Sequence, residues 1–381
     1  MTAHGSPAEQ QPRRFGRSLR YIIFATVAIA LYAIVLWRVL VLGGALTGSG
    51  DVAGVSLGDA LVQALTRFDE IGNRYLQQAI QQTVNALSIG AIYALIALGY
   101  TMVYGIIELI NFAHGDIFMI GAFASIVFLG GIMGQSGQVE NVLFLALLVI
   151  GALAFTMPIV GLLNVGIERL VYRPLRNAPR LAPLITAIGV SFILQNLALV
   201  VAGSGDRASP QVFPLSWQLN IAGASISVLS IFIFTLSLSL MLALQAFVTR
   251  TRLGRAMRAT AQDREAAALM GVDMNQTIAL TFLLGGILAA AAGVVWGLRF
   301  GYVRQDLGLN AGLKAFTSAV LGGIGNITGA VLGGFFIGFV ENFASSVGQS
   351  RWSQFLVFMV LTLVLIFKPS GLFGQATGDR A

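Results

Sequence analysis

Eight apolar runs, most of them near the length that carries a helix across a bilayer, dominate the sequence: residues 82–107, 110–131, 141–166, 181–202, 225–248, 277–298, 313–345 and 353–368. A spanning helix needs roughly 20 apolar residues, and in lipid every backbone amide has to find its partner internally. A chain built this way folds as a bundle of membrane helices. Composition agrees: apolar residues fill 56% of 381 positions and charged residues 10%, where a water-soluble domain carries about 25% charged residues. The expected fold is all-α, a polytopic transmembrane bundle of about eight or nine membrane helices.

Ahead of these runs lies a basic tail, residues 1–20, with Arg13, Arg14, Arg17 and Arg20. Residues 21–44 follow as a further apolar stretch, longer than a signal-peptide core and without a clear small-x-small cleavage site, so it reads as an uncleaved anchor helix. Residues 45–81 mix acids and arginines and read as an external loop or surface helix, 82–374 as the membrane domain, and 375–381 as a short tail. Arginine placement orients the bundle. The segment 168–180 carries Arg169, Arg173, Arg176 and Arg180, and 249–276 carries Arg250, Arg252, Arg255, Arg258 and Arg264, so both belong on the cytoplasmic side with both termini. The run 313–345 is too long for one upright span and is interrupted by Gly322-Gly323-Ile324-Gly325-Asn326, which predicts a broken or re-entrant helix followed by a full one.

Several chemistries drop out. The sequence contains no GxxxxGK[ST] loop, so no P-loop nucleotide site of its own is expected. Cysteine is absent, and the two histidines, His4 and His114, are far apart, so neither a metal site nor a hydrolytic constellation is expected. No cofactor and no enzymatic activity are expected of this chain. The basic excess is confined to short loops, which excludes a nucleic-acid footprint.

Three stretches carry functional signal. In the connector 251–276, Ala266, Leu269 and Met270 recur at helical spacing, and Gly271 is a natural terminator of a short helix. Arg258, Asp263, Glu265, Ala266, Ala267, Leu269, Met270 and Gly271 form a candidate coupling surface for a cytoplasmic ATPase; the plainer reading is a basic loop that only fixes topology. In the second stretch, Tyr93, Tyr100 and Tyr104 share one helical face, and Asn85, Ser88 and Thr101 add polarity within an apolar span. Glu108, Asn111, His114 and Asp116 follow. They line a gate or vestibule, or else Asn111 and Asp116 cap helix ends and His114 bonds a carbonyl, the structural role being favoured for Asp116. In the third, glycines at four-residue spacing (Gly325, Gly329, Gly333, with Gly334 and Gly338, and Gly293 with Gly297) predict helices packed backbone to backbone. The break itself, with Gly322, Gly323, Gly325 and Asn326, joins Tyr93, Tyr100, Tyr104, Asn111 and His114 as the candidate translocation path.

The strings IYALIALGYTMVYGIIELINFAHGD, ERLVYRPLR, LITAIGVSFILQN, RAMRATAQDREAAALMGVD, LKAFTSAVLGGIGNITGAVLGG and KPSGLFG resemble, in order, the H-type permease subunit of the bacterial branched-chain amino-acid ABC transporter. The resemblance covers roughly residues 77–374. It implies an inner-membrane permease for branched-chain or similar amino acids, driven by two cytoplasmic ATPase subunits. It also implies a second, homologous permease subunit and a periplasmic substrate-binding protein as partners. Urea or short-amide permeases of the same superfamily are the alternative. An ATP-independent secondary carrier fits less well, because its charges should lie within the spans.

Overall fold

The computed structural model describes residues 57–108, 111–176, 178–179, 181–221, 223–346, 352–368 and 370–374. The expected basic tail, anchor helix and C-terminal tail lie outside these residues. The chain divides into two compact units at Ile71/Gly72. Of the first, only the opening turns of a helix are described; the helix bundle belongs to the second.

The elements run α1 (Leu57–Ile107), α2 (His114–Ile126, continued by a π-turn over Val127–Ile132), α3 (Val142–Ile167, continued through Glu168–Tyr172 and Arg173–Leu175) and α4 (Leu181–Ala202). After the short strands β1 (Arg207–Ala208), β2 (Gln218–Ile221) and β3 (Ala224–Ser227) come α5 (Val228–Arg250), α6 (Arg252–Gln262), α7 (Arg264–Leu269) and α8 (Met274–Phe300). Strand β4 (Tyr302–Val303), α9 (Leu307–Gly322), α10 (Ile327–Ser346) and α11 (Ser353–Phe367) complete the chain. Among the described residues, seven helices are long and apolar enough to cross a membrane, with α11 as a shorter apolar helix. The all-α bundle is thus as expected. The run 313–345 resolves into two helices, α9 of 16 residues and α10 of 20. No backbone break falls at 81/82: α1 is continuous from Leu57.

Helix starts follow side-chain chemistry. Asn141, Thr251, Asp263 and Asp273 stand at the N-caps of α3, α6, α7 and α8, each accepting a bond from a free amide of the first turn. Burial sorts the bundle into centre and rim. The apolar windows of α1 and α8 are 89% and 72% buried, against 28% for α3, α4 and α5, whose outward leucines, isoleucines and valines suit a lipid solvent. The central helices approach closely because small residues meet. A Cβ on Gly121 would stand 2.7 Å from Ala290 Cα, and one on Gly286 2.9 Å from Gly161 Cα. Gly338 likewise faces the backbone of Gly90, and Gly333 that of Ser318. The glycine spacing therefore reports packing within this chain.

Contacts define two ends of the bundle. At one, Arg264 donates to Ile106 O, Tyr172 to Asn111, Arg176 to Asn275, and the α9–α10 turn meets residues 370–374. Every described loop arginine of 168–180 and 249–276 lies at this end. At the other, Val139 N donates to Val212 O, β1 pairs antiparallel with β4, and Arg304 bridges Asp206 and Asp306.

Candidate functional site

The expected tyrosine stripe is real, and it borders α9 and α10. Tyr100 and Tyr104 line a narrow cleft with Asn111, Phe316, Ala319 and Ile324. Tyr100 is buried, edge-on to His114 with ring centres 4.7 Å apart and to Phe316 at 5.9 Å. His114 is fully buried, its ring filling the space left by the missing side chains of Gly99 and Gly285. Further along the same face, Tyr93 donates to Glu341 Oε2 at 2.6 Å, and Lys314 Nζ meets Glu341 Oε1 at 2.6 Å. Lys314 Nζ also sits 5.8 Å from the centre of the Tyr93 ring.

Capping, the role favoured for Asp116 and the alternative to a vestibule role for Asn111, is not what either side chain does. Asn111 Oδ1 accepts from the Tyr172 hydroxyl at 2.7 Å, tying the segment after α1 to the end of α3. Asp116 is fully buried in the first turn of α2, whose N-cap Ala113 offers no side-chain bond. Its Oδ2 accepts from Ser191 and Gln195 of α4, and its Oδ1 faces Gly308 in the first turn of α9. The first turns of α2 and α9 thus meet at one carboxylate, whose Oδ1 has no hydrogen-bond partner among the described residues. Tyr172→Phe should strip Asn111 of its donor and lower stability by about 1 kcal/mol or more. Thermal melting of the purified chain in detergent checks this, and an unchanged midpoint would count against the bond.

The break is a capped turn. Gly323 and Gly325 take φ of 99° and 91°, which side-chain-bearing residues rarely adopt. Gly322 packs on the backbone of Gly329, and Asn326 Oδ1 accepts from Gly329 N at 3.0 Å to start α10. The carbonyls that end α9 are bonded from the far end of the chain: Leu372 N donates to Leu321 O at 2.8 Å and Phe373 N to Gly322 O at 3.1 Å. Asn326 Nδ2 returns a bond to Phe373 O at 2.9 Å. Through Ile324 the turn also borders the tyrosine cleft.

The connector forms two short helices. Asp263 Oδ1 accepts from Ala266 N at 3.0 Å, starting α7. Val272 N bonds Ala267 O and Gly271 N bonds Ala268 O, with Gly271 at φ 85°. This is the Schellman ending expected of a glycine at that position. Ala267 is buried, whereas Glu265 and Ala266 are exposed and Leu269 and Met270 are 88% and 85% exposed. Arg258 donates to Val248 O, and Arg264 donates through Nε at 3.0 Å to Ile106 O, fastening the connector to the ends of α5 and α1.

Sequence reasoning missed Lys314 and Glu341, which stand in different helices on either side of the break, and missed Ser191 as the partner of Asp116. The only sequence signal of Lys314 and Glu341 was a charge within an apolar run, and Ser191 had none.

Residues 82–365 match the family described as branched-chain amino acid transport system / permease component. The chain is 43% identical over 304 residues to the high-affinity branched-chain amino acid transport system permease protein BraD of Pseudomonas aeruginosa, spanning 79% of this chain and 97% of that protein. It is 42% identical over 304 residues to the corresponding protein LivH of Escherichia coli K12, with the same coverage. A shorter match, 35% over 133 residues, reaches the autoinducer 2 import system permease protein LsrC of Klebsiella pneumoniae and spans 33% of this chain and 39% of that one.

Proposed function

From the premise that the chain belongs to the branched-chain amino acid transport system permease family, we propose that it is the membrane subunit through which an ABC importer moves leucine, isoleucine, valine or similar amino acids. Its named relatives, 43% and 42% identical along nearly their whole length, act in branched-chain amino acid transport, which supports that substrate class. A second permease subunit completes the route, two cytoplasmic ATPase subunits hydrolyse ATP, and a periplasmic binding protein delivers the amino acid.

The observation that carries the coupling reading is helix α7. It presents Leu269 and Met270 almost fully exposed at the arginine-lined end, off any lipid-facing helix, where apolar side chains suit a protein groove. Arg264 then links α7 to Ile106 at the end of α1, the helix that bears the tyrosine stripe. A push delivered at α7 reaches α1 through that link and biases the cleft beside Tyr100 and Tyr104 between two states of access. Tight substrate binding is not needed for this; alternation is.

The experiment is reconstitution of the complex in proteoliposomes with ATP inside. Uptake of labelled leucine that requires both the loaded binding protein and ATP hydrolysis is the expected result, and uptake without an ATPase overturns the reading. Orientation is tested separately. Because the sequence contains no cysteine, a single introduced cysteine is a unique reporter. Ala268→Cys should react with a membrane-impermeant thiol reagent only in inverted vesicles and Ser204→Cys only in intact spheroplasts; the opposite pattern would place α7 outside the cell.

A further inference from the structure

We propose that Tyr93, Glu341 and Lys314 form a head-group station for a zwitterion on the translocation route, in which Lys314 takes the substrate carboxylate and Glu341 its ammonium. The proposal rests on the amino-acid permease reading and adds a site to it.

The other ion pairs among the described residues lie at the ends of the bundle: Arg176 with Glu168 at the arginine-lined end, and Arg304 with Asp206 and Asp306 opposite. Lys314 and Glu341 are instead held within α9 and α10, 27 residues apart in sequence, and retain 15% and 18% of their side-chain exposure. Charge at membrane depth is costly and is normally kept facing a cavity or pathway. The fold does not need this pair to bring the two helices together. Gly322 against Gly329 and Gly333 against Ser318 already do so, and Gly338 against Gly90 adds α1. An interior ion pair is, moreover, often replaceable by apolar groups without loss of stability.

What the pair offers is exchange. An amino acid carries one carboxylate and one ammonium, as the pair does. When it enters, each of its charges meets an opposite charge and the net charge of the site is unchanged, so the partition into low dielectric is paid for by pairing. A neutral solute gains nothing from such a site. The Tyr93 hydroxyl fixes one carboxylate oxygen of Glu341, and the Tyr93 ring lies under the ammonium of Lys314, so the empty pair is already oriented. Tyr100, seven residues on, is about 10 Å further along the same helical face and lines the aromatic cleft. Head-group station and apolar cleft are therefore successive positions along one stripe.

The test uses the reconstituted complex. The neutral double variant Lys314→Met/Glu341→Met and the swapped variant Lys314→Glu/Glu341→Lys should each co-purify with the ATPases yet import leucine at a tenth of the wild-type rate or less. Wild-type import by either would show that transport does not need these charges in these places and would overturn the proposal. Tyr93→Phe, which removes one hydroxyl, decides the matter should both doubles fail to assemble. Its uptake at saturating loaded binding protein should fall at least threefold, and an unchanged rate rejects the station. If the wild-type complex imports urea and no amino acid, the station falls together with the substrate reading. If it imports leucine and the variants do too, only the station falls.

Discussion

Leu269→Glu/Met270→Glu should lower ATP-driven import at least a hundredfold while leaving the membrane bundle folded. Both side chains are more than four-fifths exposed, at 88% and 85%. Exposed substitutions away from caps and packing usually change stability by no more than about 0.5 kcal/mol. Against a partner groove the balance reverses. Apolar anchors at the centre of an interface are the residues whose loss is felt most, and a carboxylate forced into such a pocket pays its desolvation without a partner. A loss of about 3 kcal/mol per site is sufficient for the expected drop. The readouts are uptake, co-purification of the ATPases, and the melting midpoint of the isolated chain. Normal import with normal ATPase recruitment would remove α7 as the coupling element.

Gly293→Leu should prevent the native bundle from forming. A Cβ at Gly293 would stand 2.4 Å from Ala122 N and 2.7 Å from both Gly121 C and Phe118 O. All three are main-chain atoms of α2, so no side chain can swing aside, and the two central helices would have to separate. Overpacking typically costs about 1–3 kcal/mol where side chains give way; here the cost should exceed that range. Gly189→Leu is the matched control, because nothing lies within 4 Å of a Cβ built there and α4 faces outward. Size-exclusion profiles of the two purified variants should differ sharply. A monodisperse Gly293→Leu with wild-type melting would refute the α2–α8 contact.

The division between what the sequence reveals and what it hides is physical. Span positions are legible because lipid demands long apolar runs, though their starts shift by several residues, as α2 from His114 and α9 from Leu307 show. The connector is legible because Asp263 and Gly271 mark a helix start and stop locally. Asp116 misleads for the same reason. Its place in the first turn of α2 suggests a cap, whereas its partners Ser191 and Gln195 lie 75 and 79 residues away. Pairings of this kind leave no periodic trace. Lys314 and Glu341 escape notice likewise: each is a single charge within an apolar run, and the turn at 323–326 folds one onto the other. The candidate path is half legible, since the helical face of Tyr93, Tyr100 and Tyr104 follows from spacing, but what faces it does not.

The order of synthesis gives the bond from Leu372 to Leu321 a further meaning. The amides that claim Leu321 O and Gly322 O belong to residues made after α9, α10 and α11, so until then the turn between α9 and α10 waits with two carbonyls unclaimed. Only a chain that includes residues 372 and 373 can close it. A premature stop anywhere upstream of Leu372 leaves that seam open.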